Sequence, residues 1–323
     1  MKIRFFNPGL WYKNHKQEID SEISRVLSAG DLILRDDVEK FEENLANFVG
    51  TKYAVGLNSG TDALVLALKA MGVSFADWVS VPAHTFKATA GAVRTIGANP
   101  IVYDLGESAH TAKFSIVAHI AGELFPIPKT SIVIEDACQA LGAIKNPISD
   151  AQCWSFYPAK ILGAYGDAGA LTTNRKDIYE YVKEARNHFK NDNSAFGINS
   201  RMDNLQAAIL NIKFKYLHEF LVRREEIAQK YKALKGVELP NYQEGRVWQD
   251  YIIRTSKREQ LYEYLRKNGV EVLRNEYSWT PEFPKPLLAA QYEAETLRIP
   301  CNPDLTDEEV DYIIEKINAF NFL

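Results

Sequence analysis

The 323-residue chain is expected to fold as an α/β protein, with a mostly parallel sheet flanked by helices and a second, smaller C-terminal α/β unit. Three observations carry that expectation. Short apolar runs of strand length alternate with stretches of helical period from Asp37 to about residue 189. Two of the runs, FSIVAHI (114–120) and SIVIED (131–136), are near-continuously apolar before they end, as strands covered on both faces require. The length, at about 150 residues per domain, asks for roughly two domains.

In DVEKFEENLANFVG, Val38, Phe41, Leu45 and Phe48 recur at helical spacing, with acids early and Gly50 as the stop. YAVGL (53–57) reads as a strand, and NSGTDALVLALKAMG as a glycine turn opening a helix that is apolar nearly all round. Strand-like WVSV (78–81), helical FKATAGAVRTIG (86–97) and strand-like PIVYDL (100–105) continue the alternation, followed by the two buried runs. AQCWSFYP and GALTT are strands around a glycine-rich connection, and a helix is expected from Arg175 to about Phe189. After the polar loop KNDNSAFGINSR, residues 202–234 form a long, mostly unbroken helical pattern, long enough at 1.5 Å per residue to cross between domains. Beyond it come strand VWQDYIIRT, helix KREQLYEYLRKNG, strand VEVL, the proline-rich loop TPEFPKP and a last helix capped at Asp304-Leu-Thr306. The expected division is 1–235, with the connecting helix 202–234, and 236–323.

Composition excludes several classes. With 38 Lys plus Arg against 42 Asp plus Glu, the net charge is −4, which argues against a surface built to neutralise nucleic-acid phosphates. Three cysteines, Cys138, Cys153 and Cys301, are too few for a disulfide scaffold and point to reduced thiols in the cytoplasm. No apolar run approaches the ~20 residues of a membrane span, and the N-terminal stretch has no signal-peptide pattern, so neither a membrane anchor nor export is expected.

Three segments can carry chemistry. The glycine turn of NSGTDAL opens a helix and presents free N–H groups to an anion; the residues alone equally allow a plain cap by Ser59 or Thr61. SIVIEDACQALGA ends a strand with Glu135 and Asp136, where functional carboxylates of α/β sheets gather, or where a solvated acid pair would sit; Cys138 reads as a small core residue. In CWSFYPAKILGAYGDAGALTT, Gly163, Gly166 and Gly169 do not make a dinucleotide fingerprint, and Lys160 is left just past a strand among aromatics and glycines. There is no P-loop, no HExxH pair and no nucleophile elbow.

Taken in order, NSGTDAL, VPAHTF, IEDACQALGA, SFYPAKILGAYGDAGA and GINSRMDNLQAAIL, with the closing PDLTDEEVDYIIEKI, resemble the DegT/DnrJ/EryC1/StrS family from about residue 30 onward. That resemblance implies a pyridoxal 5′-phosphate (PLP) fold-type-I aminotransferase that aminates a nucleotide-linked keto-sugar, with glutamate as donor. Lys160 takes the position of the family's Schiff-base lysine, and Asp136 that of the partner of the pyridine nitrogen. Gln139 would reach the phenolic oxygen, and Phe86 would stack on the ring. Ser59, Gly60, Thr61 and Ser155 would hold the phosphate. Asn199 matches an asparagine given by the neighbouring subunit, which implies a homodimer with shared active sites.

The chain also departs from the pattern. The 104–136 region is trimmed, Arg35-Asp36 stand where Gly-Pro is usual, WQDYIIR lacks the usual histidine, and Phe189 stands where glycine is customary. These segments border the sugar pocket, so its shape is not carried over. Two other readings remain within the resemblance. A sugar dehydratase would have histidine at the position of Lys160; a non-catalytic regulatory protein could use the same fold.

Overall fold

The computed structural model describes residues 1–107, 112–129, 132–191, 195–277 and 286–322. Helices α1 (Pro8–Asn14), α2 (Lys16–Ala29) and α3 (Asp36–Val49) lead into β1 (Tyr53–Leu57), α4 (Gly60–Ala70), β2 (Trp78–Pro82), α5 (Ala88–Thr95) and β3 (Asn99–Tyr103). Strands β4 (Phe114–Ala118), β5 (Ile132–Asp136), β6 (Ala151–Ser155) and β7 (Gly169–Thr173) follow, then α6 (Lys176–Ala185), α7 (Asn204–Lys215) and α8 (Leu217–Lys230). The rest comprises β8 (Tyr251–Arg254), α9 (Arg258–Lys267), β9 (Leu273–Arg274), α10 (Leu287–Glu295), β10 (Thr296–Ile299) and α11 (Asp307–Asn318).

Seven strands form one sheet in the order β1-β7-β6-β5-β4-β2-β3. From β6 to β3 every neighbour is parallel, and only β7 runs against both of its partners, β1 and β6. Side chains alternate across the sheet. Val55, Leu57, Ile134, Cys153 and Leu171 face a core shared with α4, α5 and α6, whereas Trp154 and Ala170 face the opposite core, with Phe41 of α3 and Leu210 of α7. Helix α4 is apolar nearly all round because Ala63 to Leu68 are all buried between the sheet and its helical neighbours. A second sheet, β8-β10-β9, covers its own core of Tyr251, Leu261, Leu297 and Val310. Among the described residues no helix is long and apolar enough to cross a membrane.

The structure differs from the sequence reading in several places. The 202–234 helix is two helices, because Tyr216 (φ −98°, ψ 0°) interrupts it. Its hydroxyl donates to Glu18 at 3.1 Å and its ring packs against Trp11 and His15, so a tertiary contact with α1 and α2 holds the break. Residues at the very start belong with the C-terminal unit, since Ile3 pairs with Val270 and lies in that unit's core. Helix α6 stops at Ala185 instead of near Phe189: His188 (φ +66°) and Phe189 (φ +53°) are both left-handed. Phe189 adopts the conformation that glycine takes freely, and its burial against Tyr181 offsets the strain. Arg35, by contrast, is extended (φ −119°), and Asp36 opens α3 with a favourable charge at the helix start, so neither position requires Gly or Pro.

The strands of the C-terminal unit are shorter than expected, and α1, α2, α10 and β10 were not anticipated. Most of TPEFPKP lies outside the described residues. In the trimmed region, β4 is joined to β5 with only a single 3-10 turn, Ile120–Gly122, among the described residues. Ala118, Ile120 and Ala121 there pack directly on Ile252 and Tyr277 of the C-terminal unit.

Candidate active site

The ends of β1, β2, β5 and β6 that carry the sequence motifs lie along one edge of the sheet, the carboxyl edge, where open α/β sheets form ligand crevices. A cavity of about 790 Å³ opens there. It is lined by Ser59, Gly60, Thr61, Phe86, Asp136, Gln139, Ser155 and Lys160, so eight of the nine sequence-derived site residues meet in one place. Asn199 does not line it; it is exposed and pairs with Asn187.

The glycine turn is a cap that leaves free amides beside the cavity. Ser59 Oγ accepts from the Asp62 amide at 3.1 Å, while Gly60 and Thr61, as the first helical residues, have amides without an intrahelical acceptor. No larger residue fits here: a Cβ on Gly60 would stand 2.6 Å from Cys138 Sγ, and one on Gly169 would stand 2.5 Å from the Gly60 nitrogen. Ser200 braces the turn from outside, donating to Asp62 Oδ2 at 2.7 Å and accepting from the Asn58 amide at 3.2 Å.

Asp136 is buried, not solvated. Thr89 of α5 donates to its Oδ2 at 2.7 Å and the Cys138 amide to its Oδ1 at 3.3 Å. Because the one Thr89 proton goes to Asp136, Thr85, 2.7 Å from Thr89, is the donor in that second contact. Gln139 Oε1 accepts from the Ala121 amide at 2.8 Å, which leaves its NH₂ facing the cavity, 3.4 Å from the Tyr277 hydroxyl. Burial and the neighbouring Asp136 push the Cys138 thiol up, so it is no thiolate nucleophile.

Lys160 sits on a loop held from behind. Gln249 accepts from the Ile161 amide at 3.0 Å and donates to the Ala159 carbonyl at 2.9 Å, gripping the residues on either side of the lysine. Lys213 of α7 donates to the Gly163 carbonyl at 2.6 Å and lies over the rings of Tyr165 and Trp11, at 4.1 and 4.9 Å from their centroids. Thr89, Ser200, Gln249 and Lys213 escaped the sequence reading. The usable signal was WQDYIIR, the segment in which the usual histidine is missing and which contains Gln249. The cavity's charge is uneven: Asp136, Asp167, Asp250, Glu271 and Glu276 line it against two cations among the described residues, Lys160 and Arg298.

An amine, a buried carboxylate and an anion-binding helix end, gathered at the carboxyl edge of a mostly parallel sheet, define an α/β enzyme that holds a phosphorylated cofactor. The model of the DegT/DnrJ/EryC1/StrS aminotransferase family matches residues 13–123 and 113–318, and the chain belongs to this family, whose cofactor is PLP. A "Pleiotropic regulatory protein" of Geobacillus stearothermophilus is 32% identical over 99% of each chain. A dTDP-3-amino-3,6-dideoxy-α-D-galactopyranose transaminase of Aneurinibacillus thermoaerophilus is 33% identical, covering 95% of this chain and 96% of that one. NtdA from Bacillus subtilis, solved with bound cofactor PMP, superposes with a TM-score of 0.90 at 27% identity over 98% of this chain and 84% of its own. The chain is thus a sugar aminotransferase by family.

The Lys213 clamp has a pH signature. Burial pushes its amine down to about 8, against the opposing attraction of Asp304. The folded value lies below the ~10.5 of an unfolded lysine, so below pH ~8 the buried charge costs stability in full, and the cost is relieved as pH rises from about 8 to about 10.5. Urea melts of wild type and Lys213→Met across pH 7 to 10 should show the wild type gaining on the variant with rising pH, by an amount on the order of 1–3 kcal/mol. A pH-independent difference would contradict the buried amine.

Proposed function

We propose that this enzyme aminates a nucleotide-linked 3-keto or 4-keto sugar of the 6-deoxy kind, with glutamate as amino donor, as a homodimer with shared sites. The observation that carries the reading is the convergence of Lys160, Asp136 and the Gly60–Thr61 turn on one cavity. The relative that transaminates at position 3 of a dideoxy sugar favours a 3-keto acceptor.

The residues present suit PLP. The free amides of Gly60 and Thr61, with the hydroxyls of Ser59 and Ser155, would hold its phosphate, in a cradle where a Cβ has no room. When bound, the cofactor supplies an electron sink for the charge that develops at the substrate carbon. Asp136, aimed by Thr89 and the Cys138 amide, would hold a proton at the ring nitrogen. The Gln139 NH₂ would face the phenolic oxygen, and the half-exposed Phe86 would form a wall against the ring. The amine of Lys160 would anchor the cofactor and would be placed to move the proton at the substrate carbon. Lysine here, rather than histidine, argues against a dehydratase. The exposed Asn199 lies outside its own cavity, which supports a role for it at the partner's phosphate site.

The direct test is a mass-spectrometric screen of purified enzyme with glutamate and dTDP-, UDP- and GDP-linked 3-keto and 4-keto sugars. Formation of an amino sugar, with a visible band bleached by borohydride through Lys160, is expected. A protein with no such band and no product from any acceptor would be a regulator, as the name of the Geobacillus relative suggests.

Asp136→Asn keeps the shape and removes the charge. Loss of one charge-assisted bond of ~2–4 kcal/mol predicts a fall in kcat of roughly 30- to 1,000-fold with cofactor still bound. An unchanged kcat would remove Asp136 from the reaction.

Mixing the inactive Lys160→Ala with an impaired Asn199→Ala, under subunit exchange, tests the shared site. If Asn199 acts in trans, each heterodimer has one intact site, and with random exchange about a quarter of all sites regain activity. If it acts in cis, none do, and heterodimers without recovery would refute the sharing.

A further inference from the structure

We infer that Arg298 is the anchor for the α-carboxylate of the amino donor, an inference that rests on the aminotransferase reading above. In β10, Leu297 and Ile299 are fully buried in the core of the C-terminal unit, so the period of two turns Arg298 to the opposite face, where it lines the cavity. It lies there between Ile252 and Leu273 in register.

The guanidinium is aimed but not used up. Asp250, itself buried, accepts from Nη1 at 3.0 Å, while the buried Nε has no hydrogen-bond partner. A guanidinium held by Asp250 at Nη1 alone keeps N–H donors that a planar carboxylate can use.

The charge inventory decides what kind of anion fits. Lys160 is committed to the cofactor, so Arg298 is the one remaining cation among the described lining residues, beside Asp250, Glu271 and Glu276. One cation beside those carboxylates suits a singly charged group and disfavours the diphosphate of a nucleotide sugar. Every α-amino acid donor brings one carboxylate one bond away from its reacting carbon, whereas a neutral keto-sugar has a hydroxyl at the equivalent place. Both substrates use the same cavity in turn, so Arg298 separates the two half-reactions.

The experiment uses cofactor-loaded wild type, Arg298→Gln and Arg298→Lys. Conversion of the visible band by L-glutamate or L-alanine is followed in single turnover, its return is followed with neutral and with uronic keto-sugars, and binding of the non-reacting L-2-methylglutamate is measured by calorimetry. The Gln variant is expected to need about 100-fold or more of either amino acid and to lose methylglutamate binding by a similar factor. Its acceptor half-reaction should stay within about threefold of wild type, and Lys should restore part of the donor affinity. An unchanged donor half-reaction, a loss confined to uronic sugars, or equal loss in both half-reactions would each overturn the assignment. A wild type that takes amino groups from donors through Arg298 but aminates none of the sugars would leave the anchor standing and defeat the substrate proposal instead.

Discussion

Two carboxylates buried side by side at the end of β5 set the terms for the structure around them. Consecutive strand residues point to opposite faces, so Glu135 and Asp136 must each be satisfied separately, away from water. On one face, Glu135 meets His119 Nε2 at 2.7 Å and the hydroxyl of Ser149. His119 Nδ1 accepts from the Phe125 amide at 3.1 Å, so the ring hydrogen is on Nε2 and is donated to Glu135. The seam continues from Ser149 to Gln152 (2.7 Å), Thr172 (2.9 Å) and the Trp154 indole (2.8 Å), crossing β6 and β7. On the other face, Asp136 pins the start of α5 through Thr89. Removing one partner from such a site costs several kcal/mol, because a charge is left buried without its bonds. The short β4–β5 connection, the antiparallel β7 and the cavity's floor are therefore parts of one hydrogen-bonded arrangement.

A similar economy holds the glycine turn. Arg186, buried beyond the end of α6, donates to the Gly56 carbonyl at 2.8 Å and pairs with Glu42 of α3, which in turn accepts from the Gly56 amide at 2.7 Å. The strand that delivers Ser59 and Gly60 is thus fixed by an ion pair spanning two helices, and Ser200 closes the turn from the polar loop. Positioning of the anion site is rigid although the turn itself is short.

The fold class was legible because strand and helix periods alternate from Asp37 to β3, and each buried run after it carries its own boundary. That Lys160, Asp136 and Gly60 line one cavity was legible because each sits in a motif at a strand end. What escaped depends on contacts distant in sequence. The break at Tyr216 is invisible in a helical pattern because Trp11, His15 and Glu18 create it. Thr89 looks like any polar residue on α5 until β5 brings Asp136 to 2.7 Å from it. The pairing of Ile3 with Val270 joins the two ends of the chain, which no local pattern records. Phe189 reads as the end of an amphipathic helix, since its periodicity is right and only its backbone is not.

Gln249 belongs to the segment entering the three-stranded sheet, yet both of its side-chain bonds end on the lysine loop of the seven-stranded one. The smaller unit is therefore geared to Lys160 by a two-pronged coupling. A displacement of that segment would have to carry the lysine's backbone along or break both bonds. The two bonds tie the backbone on either side of Lys160 to the segment that enters the smaller sheet.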